Sequence, residues 1–119
     1  MESKHSLLKS FKFAFEGLKT AVTKGRNFRI QIALGILSII LGAFYQISSF
    51  EWLSLILIIA SVLILELINT AIELIVDLVS PEIQEKAKIA KDVSAAAVLV
   101  AATTAIFIGA AIFIPRITH

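Results

Sequence analysis

Residues 53–79 read LSLILIIASVLILELINTAIELIVDLV, an apolar run interrupted by Glu66, Asn69, Glu73 and Asp77. A membrane-crossing helix needs about 20 mainly apolar residues, and this run exceeds that. Trp52, just before it, is an aromatic suited to a membrane interface. Counted from Trp52 at about 1.5 Å per residue, a hydrocarbon layer of about 30 Å is crossed near Ile72. Glu66 then lies roughly 9 Å inside the far surface, with Glu73 close to it and Asp77 just beyond. At about 100° per residue the four polar residues fall within an arc of roughly 80°, so three carboxylates and an amide share one helix face.

Working outward, residues 30–47 are apolar except for Gln31, Ser38 and Gln46. Ser48-Ser49-Phe50-Glu51 has the S-x-x-E spacing of a capping box and restarts the helix at Trp52. On the other side, Ser80-Pro81 reads as an N-cap followed by proline at the first helical position. A polar turn over 82–92 leads into a third apolar run, 93–114, closed by Pro115 and Arg116. Before the first run, Leu7, Phe11, Phe15, Leu18 and Val22 recur at intervals of three and four, with Lys9, Lys12, Glu16 and Lys19 opposite. Such a helix is expected to lie in the interface, lysines outward. The expected fold is therefore all-α and membrane-integral, one domain over 1–119. It has an N-terminal amphipathic surface helix at about 5–25 and transmembrane helices at about 28–48, 51–79 and 88–115.

Composition agrees. Hydrophobic residues make up 58% of the 119 and charged residues 17%, with a mean hydropathy of +0.92. A chain this short cannot hide such an apolar excess within itself, so the surplus must face lipid or other subunits. The absence of cysteine excludes disulfides, thiolate metal sites and cysteine nucleophiles. Seven of the eleven Lys and Arg lie between Lys4 and Arg29, which suits anionic lipid heads or a polyphosphate rather than nucleic acid. No secretory leader is expected, since the first long apolar run starts near Ile30. The N-terminal segment and 82–92 (Lys86, Lys88, Lys91) carry Lys or Arg while 46–51 has neither. This asymmetry predicts a cytoplasmic N-terminus and an external C-terminus.

A carboxylate deep in a membrane costs about 2.5–3.5 kcal/mol even on the lenient insertion scale. Glu66 and Asn69 are explained either by hydrogen bonds between helices or by a site, and four polar groups on one face at the water boundary favour the site. Lys91 and Asp92 enter the third span level with Glu73 and Asp77. Carboxylates, an amide and a lysine beside a basic helix suit a magnesium–polyphosphate ligand, because magnesium takes one or two carboxylates and completes its shell with phosphate oxygens and water. No Walker A run, kinase glycine loop or dinucleotide fingerprint is present. Neither His5 nor His119 has a metal-ligand partner at helical spacing. Phe13 falls among the charged residues of the surface helix, either as a wedge against a neighbouring helix or subunit or as packing beside a nucleotide base. Ala97, Ala101, Ala105 and Gly109, four apart, form a small-residue stripe expected to bring helices close.

Glu66-Leu67-Ile68-Asn69-Thr70-Ala71-Ile72-Glu73, then Val76-Asp77, Ala90-Lys91-Asp92 and the Ala95-Ala96-Ala97-Val98 run, resembles the prokaryotic diacylglycerol kinase and undecaprenol kinase family. Lys9-Ser10-Phe11, Ala14 and Gly17, Arg26-Asn27-Phe28 and Glu51-Trp52 add to the likeness, which extends from about Lys9 to Arg116. The resemblance implies a homotrimer with active sites between subunits and magnesium-dependent transfer of the ATP γ-phosphoryl group to a lipid hydroxyl. By the same resemblance Glu73 is base and metal ligand, and Glu66 and Asn69 are its neighbours. Lys91 and Asp92 contact the nucleotide, Asp77 is a further acidic position, and Phe13 and Gly17 lie on the nucleotide side. Many relatives carry Glu, a second metal ligand, immediately before the Arg-Asn-Phe triplet; here that position is Gly25. Gln31 stands where some relatives have Glu or His. Ala95, where Gram-negative diacylglycerol kinases have Ser, and Pro115 tilt the substrate toward undecaprenol.

The expected activity is thus a lipid kinase of the bacterial cytoplasmic membrane. A non-catalytic membrane interaction protein disabled at Gly25, and a carrier using Glu66 and Glu73, are the other readings. The orientation is directly testable: with an impermeant thiol reagent on intact cells, His119→Cys should be labelled and Lys88→Cys should not. The reverse pattern would place the carboxylates on the side without ATP.

Overall fold

The computed structural model describes residues 3–82 and 84–119, with side chains from Ser6 onward, so that His5 lies outside the described side chains. Every regular element described is helical: α1 (Ser3–Lys24), α2 (Arg26–Tyr45), α3 (Ser49–Val79) and α4 (Glu85–Ile117). The last three are each long and apolar enough to cross a membrane. This is an all-α membrane protein.

The helix ends follow from local chemistry. At the start of α3 the Ser48 hydroxyl accepts from the Glu51 N–H at 3.2 Å, and a Glu51 carboxylate oxygen accepts from the Ser48 N–H at 2.9 Å. The capping box is complete. α2 ends with Gln46 in the left-handed region (φ 52). There the Gln46 N–H donates to the Ala43 carbonyl at 3.3 Å and the Ile47 N–H to that of Gly42 at 3.2 Å, a Schellman closure. Between α1 and α2 the helical path breaks at Gly25 alone. One nitrogen of the Arg29 guanidinium satisfies the end of α1 by donating to the carbonyls of Val22 (2.7 Å) and Thr23 (3.0 Å).

Two boundaries differ from the sequence reading. Ser80 closes α3 instead of opening α4: its N–H donates to the Val76 carbonyl at 2.8 Å, and its backbone (φ −132, ψ 81) is not helical. A residue before proline is pushed out of the α region, which suits a helix end as well as an N-cap, and the described residues between Ser80 and Glu85 are not helical. α4 begins instead at Glu85, with Gln84 as N-cap, so most of the expected polar turn is helical. At the other end α4 runs through Pro115 to Ile117.

α3 is the central element, packed along α4 and more briefly on α2. Phe28, Gly35 and Gly42, seven apart, are the buried residues of α2. A β-carbon at Gly35 would stand 3.0 Å from Ile59 Cγ2, and one at Gly42 would stand 2.9 Å from Trp52 Cη2. Close approach of α2 to α3 therefore depends on these two glycines. The expected α4 stripe is only partly used. Ala101 is buried and Ala97 exposed, while Ala105 and Gly109 border an open apolar groove of about 360 Å³ with Leu34, Gly35 and Val62. The inward face of α4 steps instead through Ser94, Ala101 and Ile112. Ile47, Leu55, Ile112 and Phe113 form the core at the Glu51 end, with Tyr45, Trp52 and Ile59 against it. Arg116 clamps that end with two hydrogen bonds to the Glu51 carboxylate, at 2.9 and 2.7 Å. On α1, Leu7, Phe11, Phe13 and Phe15 are all exposed.

Gly42→Leu should therefore destabilise the bundle by about 1–3 kcal/mol, the usual cost of overpacking, and lower its thermal midpoint in detergent. Gly109→Ala, where a β-carbon meets nothing within 4 Å, should leave the midpoint unchanged or raise it.

Candidate active site

The packing face of α3 begins with apolar residues, Leu55 and Val62 buried, and its next step is Glu66, which is only 6% exposed. The same 3–4 stepping continues through Asn69 to Glu73. This face leaves the apolar packing and opens into a pocket of about 210 Å³ against the α1–α2 corner, lined by Gly25, Arg26, Asn27, Phe28, Glu66, Asn69, Thr70 and Glu73. Two carboxylates, two amides, a hydroxyl and a guanidinium thus converge on one small cavity.

Within it the polar contacts are directional. Asn69 Nδ2 donates to Glu73 Oε2 at 3.4 Å, and Asn69 Oδ1 accepts from the Ser94 hydroxyl of α4 at 2.6 Å. The Thr70 hydroxyl returns to the Glu66 carbonyl at 3.0 Å. Among the described residues the Glu66 carboxylate has no hydrogen-bond partner, so it faces the pocket without a fixed donor.

One turn beyond Glu73 lies a second polar pocket of about 240 Å³, between the end of α3 and the start of α4, which includes Asp77, Ser80, Gln84, Lys88, Lys91 and Asp92. Lys91 pairs with Asp77 at 2.6 Å, and Lys88 with Asp92 at 2.7 Å. Asp92 is therefore held by its own helix, while Lys91 bridges α4 to α3.

The structure thus brings Glu66, Asn69 and Glu73 into one pocket and Asp77, Lys91 and Asp92 into its neighbour. Phe13 and Gly17 line neither. Phe13 is 63% exposed on α1, and a β-carbon at Gly17 would meet nothing within 4 Å. Sequence reasoning gave no role to Arg26, Asn27, Thr70 or Ser94. The Arg-Asn-Phe triplet was a visible signal for the first two, whereas Ser94 lies 25 residues from its partner and carries no local signature. Among the described residues no three His, Asp or Glu side chains are close enough to hold a metal by themselves. Glu73 and Glu66 line the same pocket, and an ion there would need phosphate oxygens and water as its further ligands.

Gly25 lines the pocket where a further carboxylate would belong, but the backbone leaves no room for one. A β-carbon there would stand 2.6 Å from the Ala21 carbonyl oxygen and 3.3 Å from Phe28 Cβ. The glycine belongs to the tight α1–α2 corner.

The sequence pattern of prokaryotic diacylglycerol kinases matches residues 12–113. This chain belongs to that family. A diacylglycerol kinase of Synechocystis is 40% identical over 111 residues, covering 92% of this chain and 63% of the relative, so the chain spans less than two thirds of that protein. An undecaprenol kinase of Bacillus subtilis is 38% identical over 109 residues, covering 92% of this chain and 89% of the relative. A diacylglycerol kinase of Escherichia coli is 29% identical over 100 residues, covering 84% and 82%. Membership places the chain among lipid kinases.

The geometry at position 25 yields a measurable expectation. Gly25→Glu must open the corner against a backbone oxygen, so it should lower thermal stability in detergent, and Gly25→Ala should do so as well. A Gly25→Glu protein of unchanged stability would show that the corner relaxes freely and that a further carboxylate is accommodated there.

Proposed function

We propose that this protein transfers the γ-phosphoryl group of ATP to the hydroxyl of a membrane lipid alcohol at the cytoplasmic face of a bacterial membrane, with undecaprenol as the preferred acceptor and diacylglycerol second. The observation that carries this reading is the pocket itself. Glu66, Asn69 and Glu73 emerge from the lipid-spanning part of α3 beside a guanidinium and an amide of the α1–α2 corner. A lipid hydroxyl rising along α3 and a soluble polyphosphate can meet only at such a boundary.

Glu73 is the base. It accepts the proton of the lipid hydroxyl as that oxygen bonds to the γ-phosphorus, and the bond from the γ-phosphorus to the bridging oxygen breaks to release ADP. Asn69 holds one Glu73 oxygen at 3.4 Å and leaves the other for the substrate. Glu73 and Glu66 would hold a magnesium ion, which when bound neutralises phosphate charge. Lys91 and Asp92 face the nucleotide phosphates from the adjoining pocket, with Asp77 holding Lys91 in place. Phe13 and Gly17 lie on α1 outside both pockets of this chain, and would border a nucleotide only where it extends past them. Only 17% of the most apolar stretch of each span is buried within the chain, which leaves helix faces for two further copies in a homotrimer. The basic residues clustered before Ile30 and in 86–91 support a cytoplasmic N-terminus.

Purified protein given labelled ATP, magnesium and either undecaprenol or diacylglycerol should yield labelled lipid phosphate, faster with undecaprenol. Glu73→Gln keeps the shape but removes charge and basicity, and should cut turnover by at least roughly 10²-fold while the protein still inserts and assembles. A folded Glu73→Gln protein of near-normal activity would defeat the assignment of the base. ATP-independent ion flux in vesicles would favour a carrier instead.

A further inference from the structure

Among the described residues, one helical hydroxyl bonds to a side chain of another helix. Inside a helix, serine and threonine ordinarily return the hydroxyl to the carbonyl four residues back. Ser38, Ser54, Ser61 and Thr104 all do so here, at 2.8–3.0 Å. Ser94 does not. It is 8% exposed, and its hydroxyl crosses from α4 to α3 to donate to Asn69 Oδ1 at 2.6 Å, the shortest hydroxyl hydrogen bond described.

The consequence follows from what each group can do. An ionised carboxylate only accepts, so toward Glu73 the Asn69 amide must present its nitrogen, as it does at 3.4 Å. The amide oxygen is then forced to the opposite side, facing α4, where it needs a donor. Ser94 is that donor. Without it the half-buried oxygen loses its donor in the protein and the amide is free to turn about its terminal torsion, which is soft. Its nitrogen would then leave Glu73.

We propose that Ser94 is a positioning residue for phosphoryl transfer: by fixing the Asn69 amide it holds the Glu73 carboxylate in its working orientation, so that α4 sets the aim of a base carried by α3. This rests on Glu73 acting as the base. Ser94 touches neither substrate nor the reacting atoms, and its effect on the reaction passes through Asn69.

The test combines steady-state kinetics with one readout that does not depend on turnover. Ser94→Ala should lower kcat by about 3- to 10-fold, the range expected for one hydrogen bond, and should leave the KM for ATP within about twofold. Ser94→Thr, which keeps the hydroxyl, should recover most of the loss. In an Asn69→Ala background Ser94→Ala should have no further effect, whereas a merely packing role would cost the same in both backgrounds. In the detergent-solubilised protein, the side-chain amide ¹H–¹⁵N pair that disappears in Asn69→Ala should shift in Ser94→Ala and hold its position in Ser94→Thr. Full activity of Ser94→Ala, an undiminished effect in the Asn69→Ala background, or an unmoved amide pair would each overturn the proposal. Wild-type protein that phosphorylates no lipid would instead overturn the kinase reading, while the amide pair would still report on the hydrogen bond.

Discussion

A carboxylic acid stands in the packing stripe of the central helix. Leu55 and Val62 bury themselves between α2 and α4, and Glu66 takes the next step of the same face at comparable burial. Such a group costs several kilocalories per mole relative to an aliphatic residue unless it meets water, a cation or a partner. The surrounding architecture meets that demand. The α1–α2 corner stands off from α3 to leave a pocket, Gly25 lets the chain turn there without a side chain, and the polar series Asn69, Thr70 and Glu73 continues to the helix end.

The two ends of the bundle are accordingly built in different ways. At the Glu51 end a capping box, a left-handed closure at Gln46, the Arg116 fork and the core around Leu55 and Phe113 leave little freedom. At the opposite end two polar pockets open between the helices, and α3 meets α4 through side chains, Ser94 with Asn69 and Lys91 with Asp77. A closed end that holds the helices in register and an open end lined by polar groups is the arrangement expected where a site needs rigid support and access together. The apolar groove beside Ala105 and Gly109 lies between these ends, on a face left open to lipid or to another copy.

Much of this was legible locally. Three apolar runs, the Ser48–Glu51 capping box and the 3–4 stepping of Glu66, Asn69 and Glu73 are all short-range features, and short-range features survive reading one residue at a time. Ser80-Pro81 is the instructive failure. The same dipeptide satisfies the rule for starting a helix and the rule for ending one, and only the position of the preceding Val76 carbonyl decided between them. The small-residue stripe on α4 is more conspicuous in the sequence than Gly35 and Gly42. Their seven-residue spacing matters only because Ile59 and Trp52 arrive opposite them.

By itself the sequence determined that the chain is helical, membrane-embedded and acidic on one face of its second span, because hydropathy and helical periodicity are properties of contiguous residues. It also carried the octet that marks the family. Tertiary structure alone decided which polar residues share a cavity. Gly25 to Phe28 joined Glu66 and Glu73, Lys91 and Asp92 fell into a neighbouring pocket, and Ser94 reached Asn69 across 25 positions. Those pairings depend on the relative rotation and offset of packed helices. Rotation and offset are set by side chains meeting from different parts of the chain, and no window of sequence contains both partners.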